Sequence, residues 1–542
     1  MTPGFSIARS HVARALCLCL ATGCLPAGDP PAGRQLVKGR SEDFVRFVDG
    51  AVGQPARILL SRQQPAENPM GFSSLALSTV DDPPPGAEIT PPRALLDRVS
   101  PNALGGCGSA QCGVPVDSVG RLYLTRSTYT QSTSQPGFTQ QHDELFRVDP
   151  ETGTQVSLGG ESRLQLSADR TRTAVAKGGD QLPLHWIVSE PGGEETMVLS
   201  LNNERFVGND FYFRTPEAEL RRLRPGGESE VLTGDVGGFE IRDSERGPVV
   251  ILARSGSPPP SWALFDPVGL VATALPPATA SARQLVLSPS GRYIFSVGGA
   301  DRASRPPLTL FDRDTGEELQ DVSPEPILGF EPIWRPGHEE LWLLMANDVW
   351  GWKPGGRLMK VVDTAVTIIL SDRSLFTGDG RFWYSMQPGV GDKVQIFLRS
   401  ADDPGYEPLL LNPKGTGLAS VQSLADGRLV VEAWISDQKR NDIYLVDPVA
   451  RTARALASTG NVVAIGRERV LALLHWVTGG SGDLTMIDLP TGAHTRLAEN
   501  VYSVAVDGSA SGDLLAPGTR VGYLVRNRIA SPFDGLWVTA LP

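Results

Sequence analysis

The chain has 542 residues, a formal charge of −11, 59 glycines and 44 prolines. That length suits two or three average domains or one large repetitive one. The glycine and proline content argues against a helical enzyme, and the acidity argues against a general nucleic-acid binder, which needs a basic face.

The first predicted element is an address. Arg9, His11 and Arg14 precede "ALCLCLATGC", a short apolar run that ends at Gly23 and Cys24. A basic start, a short apolar core and small residues before the cut describe a secretory signal over residues 1–23. The run is too short to span a bilayer as a mature helix. "ATGC" resembles a bacterial lipobox, although Ala21 stands where leucine is commonest. The resemblance implies lipidation of Cys24, the palmitate-bearing anchor of a cell-envelope lipoprotein. Leu25 after the cysteine, rather than an aspartate, implies the outer membrane.

Residues 24–100 are expected to be a tether. "PAGDPPAGRQ" and "DDPPPGAEITPP" read as extended linker. Between them "FVRFVDG", "ARILLS" and "SSLALS" look like short strands. Next come Cys107 and Cys112 in "GGCGSAQCGV". An even remainder of cysteines outside the cytoplasm reads as a disulfide, whose small loop would contribute ~2 kcal/mol. Zinc is the competing reading, but two cysteines with no nearby histidine are half a site.

From residue 101 to 542 one pattern recurs. A polar turn, often Gly-Arg, leads into a strand, a variable loop, a second strand, a tight tip and a third strand. The Gly-Arg turns are Gly120-Arg121, Gly291-Arg292, Gly380-Arg381 and Gly427-Arg428. One class of tip begins with aspartate, at Asp149, Asp266, Asp312, Asp447 and Asp488. The other begins with proline, at Pro191, Pro225 and Pro354. Asp403 and Gly535 mark two looser members. A spacing of about 43 residues with four short strands per unit is the signature of a β-propeller. Stacking the small sheets radially covers both faces of each.

The units resemble the TolB-type, WD-repeat-like propeller repeats, and "SPSGRYIFSV…LTLFDRDTGEEL" is the nearest copy, with Ser290 in the usual aspartate place. The expected fold is therefore all-β: a single β-propeller of about 8–10 four-stranded blades, preceded by the signal and the tether. The unit beginning at Asn202 is the shortest and the most open to doubt.

Signatures of chemistry are sparse. No Gly-x-Ser-x-Gly elbow occurs, and His338 lacks the second histidine of a zinc helix. His185 and His475 each precede a tryptophan inside a strand and read as packing residues. Asp312, Asp314 and Glu317 hint at calcium, but the hairpin-turn reading is stronger. Trp334, Trp342, Trp350, Trp352 and Trp383 read mainly as core; a surface groove lined by Trp350 and Trp352 is the alternative. On this basis the chain is expected not to be an enzyme and to need no metal or cofactor.

Loops between second and third strands share one face in a propeller, and binding residues collect on such loops. That face would carry Tyr129, Phe138, His142, Arg302, Arg305, Lys439, Arg440, Arg526 and Arg528. The cations could meet a carboxylate or phosphate partner, or could simply solubilise the loops. The expected function is a non-catalytic envelope lipoprotein, a monomer that binds an envelope protein or cell-wall component and touches the membrane through its anchor. It would bind no nucleic acid. The rivals are a lyase or glycoside hydrolase at the channel mouth and a purely structural surface protein.

Overall fold

A computed structural model describes residues 30–40, 42–64, 74–83, 87–99, 114–131, 139–160, 163–177, 184–191, 193–201, 204–242, 244–254, 262–267, 269–275, 282–298, 309–319, 330–335, 337–345, 348–363, 382–386, 395–400, 402, 409–411, 419–435, 440–477, 480–508, 513–528 and 530–542. Among them there is no helix long and apolar enough to cross a membrane.

The described chain is all-β, and its strands form a succession of small antiparallel sheets. Two hydrogen-bonded assemblies have seven strands, and each spans two units. Counted by unit, the sheets number eleven. Sheet 1 is Phe44–Val48, Arg57–Gln64, Ser74–Val80 and Arg93–Val99. Sheet 2 opens with a bridge at Val116 and continues with Leu122–Gln131, Thr139–Val148 and Gln155–Gly160. Sheets 3 to 9 follow in chain order: sheet 3 runs from Arg163–Leu166 to Glu195–Ser200, sheet 4 from Arg205–Val207 to Ser229–Thr233, sheet 5 from Val236–Arg242 to Val271–Ala274, sheet 6 from Ala282–Leu287 to Glu317–Leu319, sheet 7 from Phe330–Trp334 to Met359–Asp363, and sheet 8 from Phe382–Met386 to Leu409–Leu410; after sheet 9, sheet 10 begins with Gly460–Ile465, Arg469–Val477 and Ser481–Asp488. Sheet 9 is Ala419–Ser423, Leu429–Ile435, Arg440–Asp447 and Thr452–Ser458. The long strand His494–Val506 leaves sheet 10 and enters sheet 11.

This corrects two expectations. Residues 34–99 carry five strands, so the stretch read as tether contributes a whole sheet and one strand more. Among the described residues the unit count is eleven, against the expected 8–10. The short unit from Asn202 holds a complete sheet, Arg205–Val207, Asp210–Arg214, Leu220–Leu223 and Ser229–Thr233.

The strands are apolar in consecutive positions because both faces of each sheet are covered. In sheet 9, Val431 packs toward sheet 8 with Leu398, while the adjacent Val430 packs toward sheet 10 with Val470. Trp186 of sheet 3 meets Phe211 of sheet 4, with ring centroids 5.6 Å apart. Sheets 7 and 8 are joined by Arg335 with Asp402, at 2.7 Å, and by Arg399 donating to the Val361 carbonyl, at 3.0 Å. The order of contacts returns to its start: Leu536 and Val538 of sheet 11 share one cluster with Val45 and Ile58 of sheet 1. The fourth strand of sheet 11 is Arg34–Lys38, paired antiparallel with Gly535–Ala540. One sheet thus holds both ends of the described chain.

The tips explain the repeated aspartate. Asp312 Oδ1 accepts from the Asp314 N–H at 3.0 Å, and Gly316 closes the turn at φ +73°. Arg292 of the Gly-Arg turn adds an ion pair to Asp312 at 2.8 Å, which holds that carboxyl below its ordinary range. Asp149 and Asp447 make the same short turn. These aspartates serve hairpins. Among the described residues no group of three metal-ligating side chains is found.

Candidate functional site

Antiparallel order gives each sheet two ends. At the turn end, first strands turn into second, and third into fourth. At the loop end, second strands pass to third, and one sheet crosses to the next. The turn end is consumed by its own structure. A cavity of about 590 Å³ lies there beside Asp426, Arg428, Asp447 and Val449. Its polar groups already serve the turns: Arg428 pairs with Asp426 at 2.7 Å, and Asp447 holds its tip.

The loop end is different. There, between sheets 9 and 10, polar side chains stand beyond the apolar cluster. Glu432 and Trp434 alternate with core residues on Leu429–Ile435, so they share a face. Trp434 is 37% exposed and lies opposite Asn441 in register. Glu432 Oε1 accepts from the Val462 N–H of sheet 10 at 3.1 Å, and its Oε2 accepts from Ser420 Oγ at 3.1 Å. Asn441 Nδ2 donates to Asn461 Oδ1 at 2.8 Å across the two sheets. At the same end of sheet 10, His475 Nδ1 lies 2.9 Å from Asp483 Oδ2, with His475 at φ +54°. A non-glycine residue held there carries a conformational cost.

Burial is the largest influence on Glu432 and pushes its carboxyl above the ordinary glutamate range, against the lowering effect of its hydrogen bonds. The folded state therefore keeps this proton to higher pH than the unfolded chain does. Stability falls as pH rises from the unfolded glutamate range through the raised folded value. Glu432→Gln is expected to flatten that limb, with a melting temperature matching the parent in acid and exceeding it near neutrality. Thermal melts across pH 4–8 check this, and parallel curves for the two proteins would refute it.

The residues expected from sequence are distributed along the loop end and do not form one cluster. Tyr129 and His142 lie on the long hairpin of sheet 2, both half-buried. They stand on opposite faces, since Tyr129 pairs with Gln141. His142 Nε2 lies 2.8 Å from Thr130 Oγ1. Burial raises the Tyr129 hydroxyl above its usual range, with Asp143 adding to it. Arg440 pairs with Asp442 at 3.1 Å. Arg526 lies over the Tyr502 ring at 4.5 Å and meets Asp43 at 3.2 Å, so it ties sheet 11 to the entry of sheet 1. Arg528 is exposed. Cys24, Cys107, Cys112, Phe138, Arg302, Arg305 and Lys439 lie outside the described residues.

Two other readings change. His185 and His475 are exposed, while Trp186 beside the first is buried. Trp342, Trp350 and Trp352 are buried, so the pair read as a possible groove belongs to the core.

No family model matches the chain, and no curated protein matches it. Solved structures similar to it include dipeptidyl peptidase 4 of Porphyromonas gingivalis (11% identity, 91% of this chain and 65% of that one, TM-score 0.31). The chain thus spans about two thirds of that peptidase's length. TolB of Acinetobacter baumannii is similar over 70% of this chain and 80% of its own (11% identity, TM-score 0.20). The β-propeller domain of the Trilobed protease from Pyrococcus furiosus is similar over 70% of this chain and 92% of its own (9% identity, TM-score 0.23). The likeness is one of fold. The expectation that the chain is not an enzyme is withdrawn on this finding, because peptidases stand among the similar structures.

Proposed function

We propose that the protein is a lipid-anchored component of a bacterial envelope, built as a closed β-propeller of eleven blades, that holds an envelope protein or cell-wall component at its loop end. The observation that carries this reading is the contrast between the two ends. The turn end spends its aspartates and arginines on its own hairpins. The loop end carries an exposed tryptophan, a half-exposed carboxamide pair and a strained histidine beyond the core. Binding groups gather where a rigid scaffold leaves them free of structural duty.

The anchor reading gains a geometric consequence. With Ala32 already bonded to Leu497 and Tyr523 and Arg34 in sheet 11, residues 25–31 are the whole tether from Cys24, roughly 25 Å at full extension. The body would sit close to its membrane.

The test is recovery of partners from envelope extracts by the full chain and by an Arg302→Glu, Arg305→Glu, Lys439→Glu, Arg528→Glu variant. A Cys24→Ser chain is followed alongside for incorporation of labelled palmitate. Loss of captured material with charge reversal, and loss of label with Cys24→Ser, are expected. Identical capture by both proteins would overturn the choice of face, and retained label would overturn the anchor.

A further inference from the structure

We propose that the loop end of the contact between sheets 9 and 10 is a binding site for an uncharged glycan, with Trp434 as its stacking platform and Asn441 and Asn461 as its hydrogen-bonding groups. This rests on the binding function above and names the ligand class for one part of the loop end.

The chemistry follows from what the site offers and what it withholds. Trp434 is a large aromatic left 37% exposed at the end of a strand whose other residues are mostly buried. An indole face fits the C–H face of a pyranose ring, and its polar edge suits a wet boundary. Asn441 is Trp434's partner across the strands, so an amide stands beside the ring. That amide bonds Asn461 from the next sheet, which fixes both groups. The Asn441 amide also donates to Glu432, so the groups left for a ligand are the Asn441 carbonyl oxygen and the Asn461 amide nitrogen. A ligand rich in hydroxyls, or in N-acetyl groups, can take up the rest.

Anchoring below the site is rigid. A Cβ on Gly460, next to Asn461, would lie 2.6 Å from Leu474 Cδ2 and 3.1 Å from Ile443 Cδ1. Glu432 ties Ser420 and Val462 together across the two sheets, so the amides sit on a cross-braced floor.

Charge decides between ligand classes. Arg440, the nearest cation in the sequence of the strand, is paired with Asp442 on the other side of sheet 9. The group beneath the site is a carboxyl, and it repels anions whenever it is ionised. An anionic ligand therefore gains nothing from the described groups, while a neutral one keeps the aromatic and amide contacts.

The experiment uses the full chain with three soluble probes: chitotetraose, cellotetraose and maltotetraose. Binding is followed by calorimetry and by tryptophan fluorescence. At least one tetraose is expected to bind with a dissociation constant below about 1 mM, a binding free energy of roughly 4 kcal/mol. Trp434→Ala is expected to weaken that binding at least about tenfold, and Trp434→Phe to retain part of it. Asn441→Ala is expected to weaken it as well. Because Trp434 is an exposed side chain, an unchanged melting temperature in the alanine variant excludes misfolding as the cause. No binding of any tetraose at millimolar concentration, or binding unaffected by Trp434→Ala, would overturn the proposal. Partner capture that survives both results would leave the broader binding function standing and remove this ligand class alone.

Discussion

A chain that begins at Gly39 is expected to lose most of its stability, and Leu36→Ala in the full chain is expected to cost ~2–4 kcal/mol. Leu36 is 4% exposed and belongs to the cluster that joins sheet 11 to sheet 1. Its strand, Arg34–Lys38, supplies the last ladder of sheet 11. The surrounding polar contacts are also long-range. Gly39 donates to the Asp534 carbonyl at 2.9 Å, Arg40 pairs with Asp534 at 2.5 Å, and Arg34 pairs with Asp82 at 2.5 Å. Removing residues 1–38 strips the Arg34 pair, leaves Gly39 and Arg40 without the strand that places them, and leaves Gly535–Ala540 as an open strand edge, a template for pairing with other chains. Every sheet depends on its neighbours for cover, so loss at one contact is felt by both sides. Thermal unfolding and light scattering read the two effects. A truncated chain that melts with the parent and stays monodisperse would show that the terminal strand is dispensable.

That strand also shows what could be read in the sequence and what could not. Eight of the ten expected tips, Asp149, Pro191, Pro225, Asp266, Asp312, Pro354, Asp447 and Asp488, join the third and fourth strands of sheets 2 to 7, 9 and 10; Gly535 instead opens the third strand of sheet 11, and Asp403 lies outside the described residues. They were legible because each tip needs residues that tolerate tight reversal, and such residues punctuate a chain visibly. Sheet 1 escaped because its punctuation looks like linker. "DDPPPGAEITPP" joins its third strand to its fourth. Proline-rich composition is the same whether a segment wanders freely or connects two paired strands. The short strands read in "FVRFVDG", "ARILLS" and "SSLALS" are there, but only pairing makes them a sheet.

The candidate site divides along the same line. In the sequence Arg526 stands out as a cation on an acidic protein. Its partners Asp43 and Tyr502 come from opposite ends of the sequence, and only the meeting of sheets 11 and 1 brings them to it. For Glu432 and Trp434 the signal lies in "LVVEAWI". A carboxylate and an indole two positions apart, in a strand otherwise apolar, share one face. What the sequence lacked was the identity of the sheet that covers this face, and hence that cover ends short of Trp434.

Replacing Arg172 with alanine is expected to destabilise the protein by ~3–5 kcal/mol. Arg172 is fully buried, and it crosses from sheet 3 to sheet 4. Its Nε donates to Glu190 Oε1 at 2.8 Å, and its Nη2 lies 2.6 Å from the same oxygen. Its Nη1 donates to the Leu223 carbonyl at 3.2 Å and to that of Asn209, and Nη2 reaches the Arg224 carbonyl at 3.4 Å. Alanine would strand a carboxylate with only 12% of its side chain exposed and orphan acceptors on the neighbouring sheet. The penalty is that of unpaired polar groups, more than of lost attraction. Two further variants separate these causes. Arg172→Lys keeps the charge but not the planar fork, and cannot serve a carboxylate and several carbonyls together. It is expected to recover less than half of the loss. Arg172→Met with Glu190→Gln removes the uncompensated charge and is expected to recover more than the lysine, though not all, because the carbonyls of sheet 4 stay unserved. Denaturant midpoints at constant m-value rank the three. If the lysine variant proved as stable as the parent, charge alone would hold this contact, and the hydrogen-bonding role assigned to the buried guanidinium would be wrong.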